Sequence, residues 1–445
     1  MIYLKKRIFK IIGIVGLSLL ILVVVAFSYL YFNQIIRISE GKKFKSQGNQ
    51  IIENQLSKEM VKEDIDYIID IMESTHPIFL EKVPEKYYIA KDELLDASDE
   101  AMTVGGLQYK VSRYLSSIQD GHTTLYWTEN MSLYIDWKYI YGNLYLLDDD
   151  KKLTNKVITK IGNVDIDKIV ETIKATFPAD NYIAEYKNIE SFSKDKLLLE
   201  NVGVDCTKDI PITLNYKGRE EIIWLKIRDG KEYRYVDYNI YSKVIDESIA
   251  YIRMGTCEVN SKLETVLDDI EKYKKAGIKD YIIDVIDNQG GVSEASSMLL
   301  KALNIEPGTY GSVTRFSHLA QEQRGYLRKN GYVKYKSSNK AVDNDDINLY
   351  ILTNEVAFSS AQMLAVWVSD GNLGKIIGRP SSNMPSSYGD ALRFQLKNSK
   401  LEGQISHMKW IRPDKSKDKE RVLEPDIYVE YGDDILERAI DYIHK

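Results

Sequence analysis

Cysteine is nearly absent: Cys206 and Cys257 are the only two in 445 residues. That excludes a disulfide-stapled scaffold, and no Cys/His cluster has zinc spacing. Histidine is scarce as well, with 5 in the chain, so the position of each carries weight. There is no basic excess: 60 Lys and Arg stand against 66 Asp and Glu, a net charge of -6. Nucleic-acid binding needs a basic face to neutralise phosphates, so that class is excluded. Internal repeats and long low-complexity stretches are lacking. With 44% hydrophobic and 28% charged residues the chain is neither disordered nor collagen-like.

One long apolar run stands out. Lys5, Lys6, Arg7 and Lys10 precede an uncharged stretch from Ile11 to Ile36. About 20 apolar residues at 1.5 Å rise span a bilayer core. The basic flank predicts a cytoplasmic start, with everything after Arg37 outside. A cleaved signal peptide fits less well, because the run is longer than a usual apolar region and bulky residues follow it. The expectation is a single-pass cell-membrane anchor over residues 1–37, followed by a polar stalk over 38–59 and an extracytoplasmic remainder.

From Met60 the spacing of Val61, Ile65, Ile68, Ile69 and Met72 predicts a helix that ends at His76-Pro77. Residues 84–98 and 104–118 read as two more. Together they suggest a helical domain over 60–130. Residues 131–240 mix short strands, Gly-Asn turns and a helix, as a small separate domain would. From Ser248 the pattern becomes alternating strand and helix, so 241–445 is predicted as an α/β core with a parallel sheet.

Three segments carry candidate chemistry. Asp120-Gly121-His122-Thr123-Thr124 follows a helix, and a loop histidine is a possible general base. The run from Tyr281 to Gly291 takes a buried strand into paired glycines, Gly290 and Gly291, whose N–H groups suit an oxyanion. It lacks the spacing of a nucleotide-binding loop. The third, Leu352 to Gln362, ends a strand and opens a helix at Ser359. Serine there is an ordinary N-cap or a nucleophile favoured by the helix dipole. Each segment alone has a bland structural explanation.

In combination and in this order they resemble the carboxyl-terminal (tail-specific) processing peptidases, a serine-peptidase family. The DGHT loop, the D-x-x-x-N-x-G-G strand end, the T-N-x-x-x-x-S-S-A helix start and Glu424-Pro425-Asp426-Ile427 carry the resemblance over residues 60–435. It implies a crotonase/ClpP-like βαβ core with an N-terminal helical domain, and a PDZ-like middle domain resembled faintly through Val157 to Asn163. It further implies Ser359 as nucleophile, with the oxyanion held by the N–H of Ser360 and of Gly290 or Gly291. The family's base is a lysine in one branch, but that position is Met384 here. In the tricorn-like branch it is a histidine on the earlier loop, the place of His122. An acid before the terminal signature orients that site, and Glu420 or Asp418 lies nearest. The expected function is hydrolysis of a peptide or protein substrate through a Ser/His acyl-enzyme, without cofactor or metal. Gln362 and Ile286 also depart from the family pattern. With Met384 they leave a second reading, a catalytically degenerate peptide-binding or scaffold member of the same fold.

Overall fold

The computed structural model describes residues 17, 20–48, 50–127, 131–229 and 236–445. Its centre is a six-stranded sheet in the order Ile240–Ile245, Ile249–Met254, Asp280–Asp284, Asn348–Thr353, Lys375–Gly378 and Ile427–Tyr428. The first pair is antiparallel and every later neighbour is parallel. Strands covered on both faces read as unbroken apolar runs, and Tyr281-Ile282-Ile283 and Leu349 to Leu352 do so. Helices Ser261–Lys275, Ser293–Ala302 and Ser360–Gly371 pack on one face with Ile283, Ile351 and Ile376. Helix Ile435–Ile443 covers the other through Ile435 and Ala439.

The N-terminal helices are Lys58–Thr75, Glu85–Ala97 and Val104–Ser116. Ser57 caps the first, its Oγ accepting the Met60 N–H, and Val61, Ile65, Ile68 and Met72 form the buried stripe. This layer shares its core with Phe394, Leu396, Leu401 and Ile405 from far along the chain. Those residues belong to or border strands Tyr388–Gln395 and Glu402–Ile411 of a second, five-stranded sheet. The helices are thus cemented to the α/β core.

Residues 131–229 hold a separate six-stranded sheet backed by helices Ile166–Thr176, Tyr182–Phe192 and Lys196–Val202. Strands Trp137–Ile140 and Asn143–Leu147 pair antiparallel. Their turn is made by Tyr141 and Gly142, both at positive φ, with Asn143 already in the strand. Two positive φ values match the right-handed twist of the paired strands, so the turn falls one residue earlier than a Gly-Asn reading places it.

The N-terminal end departs from expectation. Residues 20–33 are helical, but no helix among the described residues is long and apolar enough to cross a membrane. Residues 1–16, 18 and 19, which carry the basic flank and much of the predicted anchor, lie outside the described residues. The predicted stalk is no free stalk. The Ile38 N–H donates to Gly325 O (2.7 Å), Lys42 N–H to Glu322 O (2.8 Å), and Leu327 N–H to Ile36 O (2.9 Å). Polar composition suggested a spacer; backbone hydrogen bonds, which composition does not reveal, lay it along the core.

Beyond the Ser360–Gly371 helix, Arg412 lies wholly buried, its guanidinium gripping Asp370 (2.5 Å) and Glu420 (2.8 Å). Asp370 is equally buried, whereas the Glu420 side chain is half-exposed. Removing one partner of a buried pair strands a charge, so Asp370→Ala should cost about 3–5 kcal/mol. Glu420→Ala should cost at most about 1 kcal/mol, as exposed pairs do. Urea unfolding of both variants checks the difference.

Candidate active site

Three loops meet where adjacent parallel strands end. Asn354 zips the first two together: its Nδ2 donates to Asp287 Oδ1 (2.7 Å), and its Oδ1 accepts the Asp287 N–H (3.0 Å). The Phe358 N–H then donates to Asn288 O (2.9 Å). Asp284, at the strand end, draws its cation from the neighbouring strand, Arg253 at 3.0 Å, in place of a downstream arginine.

Ser359 follows at φ 53°, ψ −121°, outside the ordinary range for a side-chain-bearing residue. Such a conformation costs about 1–3 kcal/mol and persists only where neighbours enforce it. The neighbours are explicit. The Ser359 N–H donates to Asn383 Oδ1 (2.9 Å), and Ser360 Oγ donates to Gly291 O (2.8 Å). Ser359 begins the helix but its hydroxyl makes no cap bond. The ordinary N-cap role, the bland explanation of this serine, is therefore not the one it fills.

Gly290, at φ 100°, lies against this turn: a Cβ there would sit 2.8 Å from Phe358 O and from Ser359 Cβ. Its N–H is engaged by Asn288 Oδ1 (2.8 Å). The N–H groups of Ser360 and Gly291 donate to no protein acceptor among the described residues. Between the two glycines, the unengaged donor is Gly291.

His122 sits on a loop built around buried Asp120. The Asp120 carboxylate accepts the His122 N–H (2.9 Å), Thr123 Oγ1 (2.6 Å), Ser406 Oγ (2.6 Å) and His76 Nε2 (3.0 Å). Burial pushes this acid up, but the hydrogen bond from His76 and its other partners outweigh that and hold it at about 2. His76 Nδ1 accepts the Ile78 N–H (3.1 Å), so its proton is on Nε2. Burial lowers the His76 pKa and keeps the ring neutral.

The His122 imidazole packs against Phe358, with centroids 4.6 Å apart. Phe358 is the residue before Ser359, which brings the His122 loop and the Ser359 turn into contact. No hydrogen bond joins His122 to Ser359: both ring nitrogens, although buried, lack a partner. Nδ1 lies 3.9 Å from Asp120 Oδ1, beyond bonding range. Catalytic pairs are often loose without substrate.

The other predicted residues scatter. Glu420 pairs with Arg412, and Asp418 accepts from Ser386 Oγ (2.6 Å). Neither has a contact with His122 or Ser359 among the described residues, since a buried guanidinium claims the first and a hydroxyl the second. The acids beside His122 are Asp120 and Asp180, and sequence reasoning missed Asp180. Met384 contributes its N–H to Asp180 (3.3 Å). Lys187, also missed, donates to Ser382 Oγ (3.2 Å), and burial lowers its pKa. Cys206 and Cys257 are both free thiols. No His/Cys/Asp/Glu group among the described residues has the makings of a metal site.

A cleft of about 1010 Å³ opens beside the nucleophile loop, between the middle sheet and the core, lined by Tyr134, Phe192, Glu355, Arg379 and Tyr431. Glu355 bonds Lys138 (3.0 Å) from the middle sheet and Arg379 (2.9 Å) from the core. Burial opposes its ionisation; these two cations win and hold it at about 2.

The buried histidines set a pH dependence. His76 and His407 both have lowered pKa values through burial. Unfolded histidines take up protons near 6.5, so the unfolded chain binds more protons below that pH. Their stabilising contribution is present above about 6.5 and falls away below it. The urea midpoint should drop between pH 7 and pH 5, and His76→Gln, which keeps a donor for Asp120, should flatten part of that slope.

Residues 248–429 match the family model described as Peptidase family S41. No curated protein matches the sequence. Among solved structures, the chain is similar to mature CPAF at 11% identity and TM-score 0.58, covering 83% of this chain and 92% of that one. Mature CPAF complexed with lactacystin gives 12% identity and TM-score 0.59, with 87% and 97% covered. At such identity these likenesses speak for the fold. The motif order, the family match over residues 248–429 and the fold agree: the α/β core of this chain matches peptidase family S41, the carboxyl-terminal processing peptidases, and that match supports a serine-type hydrolase.

Proposed function

We propose that the protein hydrolyses peptide bonds with Ser359 as nucleophile and His122 as general base. The observation that carries this reading is the Ser359 turn: a strained serine with an uncommitted hydroxyl, wedged on Gly290, beside an imidazole with two unengaged nitrogens. His122 takes the Oγ proton as Oγ bonds the substrate carbonyl carbon. The N–H groups of Ser360 and Gly291 receive the oxyanion, with a donor of this kind worth about 3–4 kcal/mol. His122 then protonates the leaving amine as the C–N bond breaks. Water, deprotonated by the same ring, releases the acyl group and restores Ser359. Met384 offers no basic nitrogen, which favours the histidine-using branch of the family. The scaffold alternative gains no support from a turn that keeps its strain and its donors.

A fluorophosphonate probe tests this. Wild type should label covalently, Ser359→Ala should not label, and His122→Ala should label at least about a thousandfold more slowly. The double variant should be no worse than Ser359→Ala. Full labelling of His122→Ala would reject the pair.

We also propose that the apolar N-terminus anchors the protein in the cell membrane with the peptidase outside. Leu20, Ile21, Leu22, Val23, Val24 and Val25 expose their side chains with no protein covering them, and Lys5 to Lys10 lie on the expected inner flank. Added protease should remove the globular part from intact cells; resistance until lysis would reverse the orientation.

A further inference from the structure

We propose that Asp180 is a positioning residue of the site, acting through Asn383 to hold the nucleophile turn and through Gly121 to hold the base loop. This rests on the Ser359/His122 reading. Asp180 lies before helix Tyr182–Phe192, far from both loops in sequence, and is wholly buried. Its Oδ1 accepts the Gly121 N–H at 2.7 Å, one residue from His122. Its Oδ2 accepts Asn383 Nδ2 and the Met384 N–H. Asn383 turns its other end to the nucleophile, Oδ1 accepting the Ser359 N–H at 2.9 Å. One carboxylate thereby bridges the neighbours of base and nucleophile.

The chemistry fixes the orientation of Asn383. A carboxylate has only acceptors, so the amide must point its NH₂ at Asp180 and its oxygen at Ser359. That oxygen is what takes the amide proton of a residue held at φ 53°. Asn181 fastens the same segment, its Nδ2 donating to Ser381 O and Arg421 O, both at 3.1 Å. Asp180 is therefore fixed in place before it fixes anything else. Its cost is also visible: burial, then the negative charge of Asp120, raise its pKa.

The prediction is a polarity rule for the pair. Asp180→Asn sets an NH₂ against the Asn383 NH₂ or, turned over, against the Gly121 N–H, or flips Asn383 and presents a donor to the Ser359 N–H. Asn383→Asp sets two carboxylates together. The double variant restores one donor and one acceptor at the 180–383, Ser359 and Gly121 contacts, and leaves only the longer Met384 N–H contact (3.3 Å) facing a donor. Fluorophosphonate labelling of the full chain, with thermal unfolding in parallel, reads the result. Each single variant should label about ten to a hundredfold more slowly, the scale of a small misplacement of reacting groups. The double variant should return to within about threefold of wild type. Asp180→Asn labelling at the wild-type rate, or a folded double variant as slow as the singles, overturns the proposal. If the charge-altered variants do not fold, Asn383→Ala carries the test, because it leaves Asp180 its bonds to Gly121 and Met384; unchanged labelling there overturns the proposal too. An unlabelled wild type would instead reject the peptidase mechanism itself.

Discussion

The close approach of Gly290 to Phe358 O, Ser359 Cβ and Ser360 N is the constraint on which the site depends. Two neighbouring parallel strands, Asp280–Asp284 and Asn348–Thr353, deliver their loops to the same end of the sheet. The loops then touch so closely that no side chain fits at 290. From this contact follow the Phe358 to Asn288 bond, the Ser360 to Gly291 bond and the unordinary φ of Ser359. A larger residue at 290 would push the Ser359–Ser360 turn away from the Gly290–Gly291 loop. The glycine pair is therefore a packing requirement first and a chemical one through it.

Around that contact the charges are few and deeply placed. Asp120 collects four hydrogen bonds, which keep it ionised in a dry setting. Its histidine partner His76 stays neutral, so the cluster retains a net negative charge beside the His122 ring. On the proposed mechanism, such a field would favour the transition state in which His122 takes the serine proton. The acid need not touch the ring to contribute, because charges interact strongly where water is excluded. The proposed mechanism thus does not call on Glu420, which a half-exposed bond to Arg412 keeps elsewhere.

Much of this was legible because it is local. The apolar runs of the parallel strands, the helix stop at Pro77 and the glycine pair each write their structure into neighbouring residues. The order of the three motifs then carried the family. What was hidden is long-range. Asp180 lies in an undistinguished stretch, and only folding sets it between residues 121 and 383. Arg412 reads as one charge in a charge-rich loop until Asp370, 42 positions away, pairs with it. The segment 38–48 reads as a polar tether because its attachment is through backbone groups, which every sequence has. Side-chain pattern reports burial and turns well; it is silent on which distant carbonyl an N–H will find.

The middle region has a part in the site that its separate sheet conceals. Lys138 leaves that sheet to bond Glu355, four residues before Ser359, and Asp180 and Lys187 come from the same region to the loop at 381–384. The nucleophile turn is thus pinned from two sides by one module. The first bridge is part of a network, since Glu355 also bonds Arg379 and Lys138 also bonds Glu190. A module joined this way does not merely lie next to the core; its docking sets the backbone on which Ser359 is strained. On the proposed mechanism the site geometry then belongs to the assembled chain: the α/β core by itself supplies the strand ends and the glycines but not Asp180, whose bonds reach the loops of His122 and Ser359.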